Sequence, residues 1–288
     1  MHKAKKRKLD LVVISDVHLG TYGCHAKELL LYLKSIQPKK IILNGDIIDI
    51  WQFSKNYFPE SHLRVLSYLI KLLSKKTEIF YITGNHDEFL RKFAGYRLGN
   101  LHLINKLILN LEGQKAWFFH GDVFDITMKN SRWLAKLGGQ GYDLLILLNT
   151  LVNYVLEKFG IGKYSFSKRI KNQVKSAVKF ISNFEETVAE IAIKNKFDYV
   201  VCGHIHQPII KTISCEKVNE NVIYLNSGDW IENMTALEYN KGEWSLYEFD
   251  NELKNKLDSE INEDSKILMN KKMMFEELMK EFHLVYNI

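Results

Sequence analysis

The sequence predicts a mixed α/β fold in which two packed β-sheets carry helices on their outer faces. Three observations point there. Short apolar runs alternate with helical stretches at the start of the chain, polar residues with metal-binding side chains follow five such runs, and a late stretch reads as successive strands. Apolar runs of four to eight residues between turn signals fit buried strands, whereas a 3.6-residue apolar period marks a helix.

The first run, Leu9–Ser15, reads as a strand. A helix follows near Ala26–Ile36, then a strand over Lys40–Asn44, a helix near Ser61–Lys75 and a strand over Glu78–Thr83. Such alternation builds a parallel sheet by right-handed crossovers. From about Leu101 the pattern changes. LHLINKLILNLEG reads as strands joined by turns, Lys115–His120 and Asp198–Cys202 as further buried strands, and NVIYLNSGDW, MTALEYN and EWSLYEFD as a late β run. The expectation is a parallel half and a more antiparallel half, packed sheet on sheet.

A helical insertion, about residues 128–196, interrupts the pattern, with Phe180, Phe184, Val188 and Ile191 on one face. Between Met128 and Ile181 ten basic residues stand against two acidic ones, Asp143 and Glu157, beside the apolar YDLLILLNTLVNYVL. A segment both basic and apolar fits a substrate cap or a membrane-facing surface. It equally fits a helix pair buried on the core with a solvated basic face. Residues 251–288 form a lysine- and glutamate-rich tail with ILMNKKMMFEELMKEF at helical spacing. The division expected is a catalytic domain over 1–250, carrying the insertion, and a helical tail.

The 288 residues suffice for a sizeable core, and 46% hydrophobic with 26% charged residues is ordinary for a globular protein. The net charge of +6 is too small to argue for a nucleic-acid partner, and no basic–aromatic groove pattern appears. Cys24, Cys202 and Cys215 are odd in number and lack C-x-x-C spacing, which fits a reducing compartment. MHKAKKRK is followed by a run too short and charged for a signal sequence, and no run reaches membrane-spanning length. A cytoplasmic protein is expected.

The chemistry sits at the strand ends. SDVHLG places Asp16 and His18 one residue apart, and GHIH repeats that spacing with His204 and His206. In extended chain, residues i and i+2 face the same side, so each pair is expected to aim two groups at one point. NGDIID supplies Asp46, TGNHD supplies Asn85 and His86, and FHGD supplies His120. α/β sheets build sites at such strand ends. A strand-end Asp usually forms a turn and a lone H-x-H is often structural, so it is the ordered set that points to a site. Two carboxylates, one amide and four imidazoles are too many for one four-coordinate ion but suit two divalent ions sharing a carboxylate. The donors fit Mn²⁺, Fe or Zn²⁺ and do not choose among them. Two adjacent ions suit displacement at phosphorus.

DVHLG, GDIID, GNHD, HGD and GHIH together resemble the calcineurin-like metallophosphoesterase superfamily over about Asp10 to Asp229. The resemblance implies a four-layer αββα sandwich. It implies that Asp16, His18 and His206 bind one metal, that Asn85, His120 and His204 bind the other, and that Asp46 bridges them. It places His86 to protonate a leaving oxygen or hold the phosphate, with Asp87 orienting it; Asp49 and Asp122 would support the ligands. GDIIDIWQ and TGNHDEF differ from the GD.VDRG and RGNHE of protein serine/threonine phosphatases. The layout is closer to the UDP-2,3-diacylglucosamine diphosphatases of lipid A biosynthesis. They share the DxHLG opening, an aromatic segment after GDxxD (here IWQF), a basic and apolar insertion, and a GDW-like strand. That resemblance implies cleavage of a lipid-linked nucleotide sugar to UMP and the diacylated sugar 1-phosphate, at the inner membrane surface. The best-known members carry arginine where this chain has His86. Other nucleotides, phosphodiesters or lipid phosphates are the alternative substrates. A non-catalytic scaffold of the fold should have lost ligands, and here all seven are present.

Overall fold

From Leu11 to Ile14, β1 (Arg7–Ile14) is apolar on both sides because it is buried on both sides. Val12 and Ile14 face helices α1 (Ala26–Ser35) and α2 (Glu60–Ser74), while Leu11 and Val13 face a second sheet. A computed structural model describes residues 6–50, 57–124, 167–215 and 220–250, with the side chains of 167–178 excepted. Most of the insertion expected at about 128–196, the segment Trp51–Phe53, the first five residues and the tail 251–288 lie outside the described residues.

β1 pairs in parallel with β2 (Ile36–Asn44), β2 with β3 (Glu78–Ile82), and β3 with β5 (Leu101–Ile104); the two-residue β4 (Arg97–Leu98) closes that edge. At its other edge β1 takes β11 (Thr235–Asn240), which pairs with β12 (Glu243–Glu248), both antiparallel. The second sheet runs β6 (Leu107–Leu111), β7 (Gln114–Phe118), β8 (Tyr199–Cys202), β10 (Glu220–Asn226), β9 (Ile209–Cys215). Among the described residues the sheets therefore hold seven and five strands.

The fold class expected from the sequence is the one observed, but the allocation of strands differs. The late β run divides: β10 joins the second sheet, whereas β11 and β12 return to the first. The second sheet is also parallel at its centre, β7–β8–β10, with antiparallel strands only at its edges. β1 needs a hydrogen-bonding partner on each side, and α1 leads its own crossover to one side only. β11 supplies the other, pairing Leu11 with Tyr239 and Val13 with Leu237.

Between the sheets lie Leu11, Val13, Ile42, Phe80, Phe118, Val201, Leu225 and Leu237. Helix α3 (Ser167–Lys194) covers the outer face of the second sheet through Phe184, Val188, Ala189, Ala192 and Ile193. Its buried stripe is rotated from the expected one: Phe180 and Ile191 are only half-buried. The layers are thus helix, sheet, sheet, helix. Among the described residues no helix is long and apolar enough to cross a membrane.

Candidate metal centre

The backbone at the strand ends is bent into an uncommon conformation. Asp16, His18, Asp46, His204 and His206 have φ of 51°, 53°, 54°, 67° and 52°. Non-glycine residues rarely occupy this left-handed region, and each such residue costs on the order of 1–3 kcal/mol. The i, i+2 pairs therefore converge through left-handed turns, which corrects the expectation of extended chain. A clasp between neighbouring loops over-determines the bend. Asp16 N–H donates to Gly45 O at 3.1 Å, and Val17 and His18 N–H both donate to Asp46 O at 2.9 Å. Trp230 N–H donates to Asp16 O at 3.0 Å.

These bends gather side chains from five strand ends. One ligand atom each from Asp16, His18 and His206 lies within 4.8 Å of the others, and the same holds for Asp46, His120 and His204. A third such group, His18, Asp46 and His86, joins them. His206 Nε2 is 3.1 Å from Asp16 Oδ1, and His120 Nε2 is 3.1 Å from Asp46 Oδ2. Asp16, His18, Asp46 and His120 are buried. His18 Nε2 and Asn85 Oδ1 are buried without a hydrogen-bond partner. Leaving such atoms unpaired costs about 1–3 kcal/mol apiece, a cost that a shared cation offsets. The donors are oxygen and nitrogen throughout, so the residues fit hard or borderline divalent ions.

Three of the ligand-type residues, His120, Asp16 and Asp46, are also held by the backbone. His120 Nδ1 lies 2.8 Å from Asn44 O, which assigns its proton there and turns Nε2 toward Asp46. The oxygens of the two carboxylates are shared between the cluster and the backbone: His204 N–H donates to Asp16 Oδ2 at 3.0 Å and His86 N–H to Asp46 Oδ1 at 2.8 Å. Glycine is required where these loops touch. A Cβ on Gly84 would stand 2.2 Å from Asp46 Oδ1, and one on Gly203 would stand 2.6 Å from Asp16 Oδ2.

The carboxylate against His86 is Asp49, not Asp87. Asp49 Oδ2 lies 3.1 Å from His86 Nδ1 and 3.7 Å from His18 Nδ1. Asp87 is fully buried and accepts from Tyr81 Oη at 2.6 Å, Gly84 N–H at 2.6 Å and Ile47 N–H at 2.9 Å. It ties the Asn85–His86 loop to the Asp46 loop and does not touch the imidazole it was expected to orient. Asp122 pairs with Arg91. The sequence reading passed over Asp229, in the GDW stretch. Asp229 is fully buried, accepts from Ile231 and Glu232 N–H at 2.8 and 2.6 Å, and lies 3.8 Å from His206 Nδ1.

Electrostatics follow from this packing. Burial pushes the Asp16 carboxyl up, but His206 beside it outweighs burial and brings it down to about 2. Burial lowers His206, yet the charge of Asp16 carries it up to about 9. Asp46 is likewise held well below the usual carboxylate range, against its burial, by His120. His120 is raised well above its ordinary value, its burial being outweighed by Asp46. His86 is raised: burial opposes, and the hydrogen bond to Asp49 prevails.

The chain is similar to several known proteins. The chain is 25% identical over 234 residues to a UDP-2,3-diacylglucosamine hydrolase of Blochmanniella floridana, a match covering 77% of this chain and 90% of that one. It is 24% identical over 250 residues to the protein of the same name from Aliivibrio fischeri (strain MJ11), covering 83% and 98%. A solved dimetal phosphatase from Danio rerio aligns over 83% of this chain and 95% of its own at 10% identity, with a TM-score of 0.40. The calcineurin-like phosphoesterase family matches residues 9–208, a span that takes in every residue of the cluster from Asp16 to His206. The chain belongs to the calcineurin-like phosphoesterase family and is a metal-dependent hydrolase.

Proposed function

We propose that the chain cleaves the pyrophosphate of UDP-2,3-diacylglucosamine to UMP and 2,3-diacylglucosamine 1-phosphate. The observation that carries the hydrolytic part is the pair of ligand clusters, Asp16–His18–His206 and Asp46–His120–His204, that His18 and Asp46 link through their shared group with His86. The substrate rests on the names of relatives at 24–25% identity that span nine-tenths or more of their own length.

In this reading Asp16, His18 and His206 hold one divalent ion, Asn85, His120 and His204 the other, and Asp46 both. Mn²⁺ is the expected metal, with iron and zinc suited to the same donors. Bound there, the ions supply Lewis acidity and an activated water. The chain supplies the rest. Asp16 and Asp46 stay ionised at neutral pH and leave the centre cationic enough to draw a diphosphate. His86, with its raised pKa, keeps a proton for the departing oxygen while Asp49 fixes its ring. Its side chain is 37% exposed, so substrate can reach it. The composition of the insertion, apolar and basic, suits acyl chains, a diphosphate and an anionic membrane face. We assign the protein to the cytoplasm, peripheral on the inner membrane.

Purified protein with Mn²⁺ is expected to release UMP from UDP-2,3-diacylglucosamine. A second reading rests on His86 itself, since the diphosphatases this chain resembles carry arginine there. If bis(p-nitrophenyl) phosphate is hydrolysed and no UMP appears, the metal chemistry stands and the substrate is another nucleotide, phosphodiester or lipid phosphate.

A further inference from the structure

Two tyrosines stand in the loops that carry the ligand clusters, and neither has a part in metal binding. Tyr22 follows His18 in the loop leaving β1. Tyr57 lies in the connection from β2 to α2, beyond Asp46 and Asp49. Their rings are stacked, with centroids 3.8 Å apart and planes 29° from parallel. Tyr22 is 81% exposed, so Tyr57 covers one face of its ring and the other is left in solvent.

The pair is braced from below. The edge of Tyr57 meets the His62 ring at 6.0 Å and 87°, and Phe58 meets the same ring at 5.5 Å and 80°. His62 is buried, and its Nδ1 accepts the N–H of Gly20 at 2.9 Å. Thr21 N–H and Thr21 Oγ1 both donate to His18 O, at 3.1 and 2.9 Å. The loop bearing Tyr22 is thus pinned at two successive residues, one bonded to the ring that supports Tyr57 and one to His18 itself. A turn brings its first and fourth Cα atoms within about 7 Å, and the next Cα is 3.8 Å further on. The Cα atoms of His18 and Tyr22 are therefore no more than about 11 Å apart.

A lone exposed tyrosine needs no explanation. A stacked pair braced beside the strand-end cluster, with one π-face bare, has the form of a stacking platform. Planar bases stack on aromatic side chains with little regard to their identity. We propose that Tyr22, backed by Tyr57, stacks the nucleobase of a nucleotide whose phosphate lies at the ligand cluster. The proposal rests on the reading that the substrate carries a nucleotide, and it adds where the base is held.

The test uses the full chain loaded with Mn²⁺ and isothermal titration with UMP, AMP and inorganic phosphate. Tyr22→Ala is expected to raise the Kd of both nucleotides about tenfold while leaving phosphate within about twofold. Tyr22→Phe, which keeps the π-face, should bind as the parent does. Tyr57→Ala, which removes the brace, should weaken nucleotides by a smaller factor. Unchanged nucleotide affinity in Tyr22→Ala overturns the platform, as does an equal loss for phosphate, or a parent protein that binds phosphate but not UMP. The two readings separate cleanly. A parent that leaves UDP-2,3-diacylglucosamine intact but loses UMP affinity on Tyr22→Ala keeps the platform and loses the substrate. Cleavage with the same KM in parent and Tyr22→Ala keeps the substrate and removes the platform.

Discussion

Asp49 and Asp87 lie on opposite sides of His86 in purpose. Asp49 reaches the imidazole from the loop after β2, 37 residues away in sequence, while Asp87, its direct neighbour, turns away to Tyr81 and two backbone N–H groups. Substituting each should therefore have different consequences. Asp49→Asn keeps the size and removes the charge that raises the His86 pKa. Its kcat is expected to fall about 10- to 100-fold, the range seen when a carboxylate behind a functional imidazole is lost. A lower pKa means that the proton is lost earlier as pH rises, so the alkaline limb of the rate profile should move to lower pH. Asp87→Asn should instead lower stability and leave that limb in place. A pH–rate profile for both variants decides it, and an unmoved limb in Asp49→Asn removes the pairing from the mechanism. The ligand-type residues could be read from the sequence because their spacing and strand-end positions are local. The orienting carboxylate could not, because its choice depends on how two loops meet. The same holds for the left-handed φ of Asp16 and His204, which no spacing reveals.

At the scale of elements, what positions the site is the row of parallel strands at the centre of each sheet. β1, β2 and β3 deliver Asp16, Asp46 and Asn85 from one sheet; β7 and β8 deliver His120 and His204 from the other. Strands β1 to β3 and helices α1 and α2 were readable to within a few residues, since apolar runs and helical periods are local signals. The partners of β11 and β12 were not. MTALEYN alternates poorly because β11 is buried on both faces, and nothing local tells which sheet such a strand will join. β11 backs β1 across from β2, and Leu237, fully buried between the sheets, sits opposite Val13. Leu237→Ala should cost about 2–5 kcal/mol in urea denaturation, the range for a buried leucine cut to alanine. A cost below about 1 kcal/mol would mean that this pairing does not support the sheet interface.

For the whole molecule, metal and fold should be linked, because the same clusters are where the chain stores its strain and its unpaired buried atoms. Five ligand-type residues sit at positive φ, and two buried ligand-type atoms, His18 Nε2 and Asn85 Oδ1, lack partners. Ions that bind only the folded chain stabilise it by about 2.7 kcal/mol each when held at a hundredfold excess over Kd. Adding Mn²⁺ to chelator-treated protein should then raise Tm by about 5 °C or more. The pH dependence has a definite sign. In the metal-free chain His206 titrates at about 9 and holds its proton at neutral pH. Its pairing with Asp16 stabilises the metal-free fold fully below the unfolded imidazole pKa, and that contribution is lost as pH rises through about 9. An ion must displace the same proton, so its apparent affinity grows as pH rises toward 9. Both effects act in one direction: the rise in Tm on adding Mn²⁺ should be larger at pH 8.5 than at pH 6. Differential scanning calorimetry with and without chelator measures it at both values. A Tm indifferent to Mn²⁺ at pH 8.5 would separate the strained strand ends from metal binding and leave the clasp between neighbouring loops as the support of their left-handed backbone.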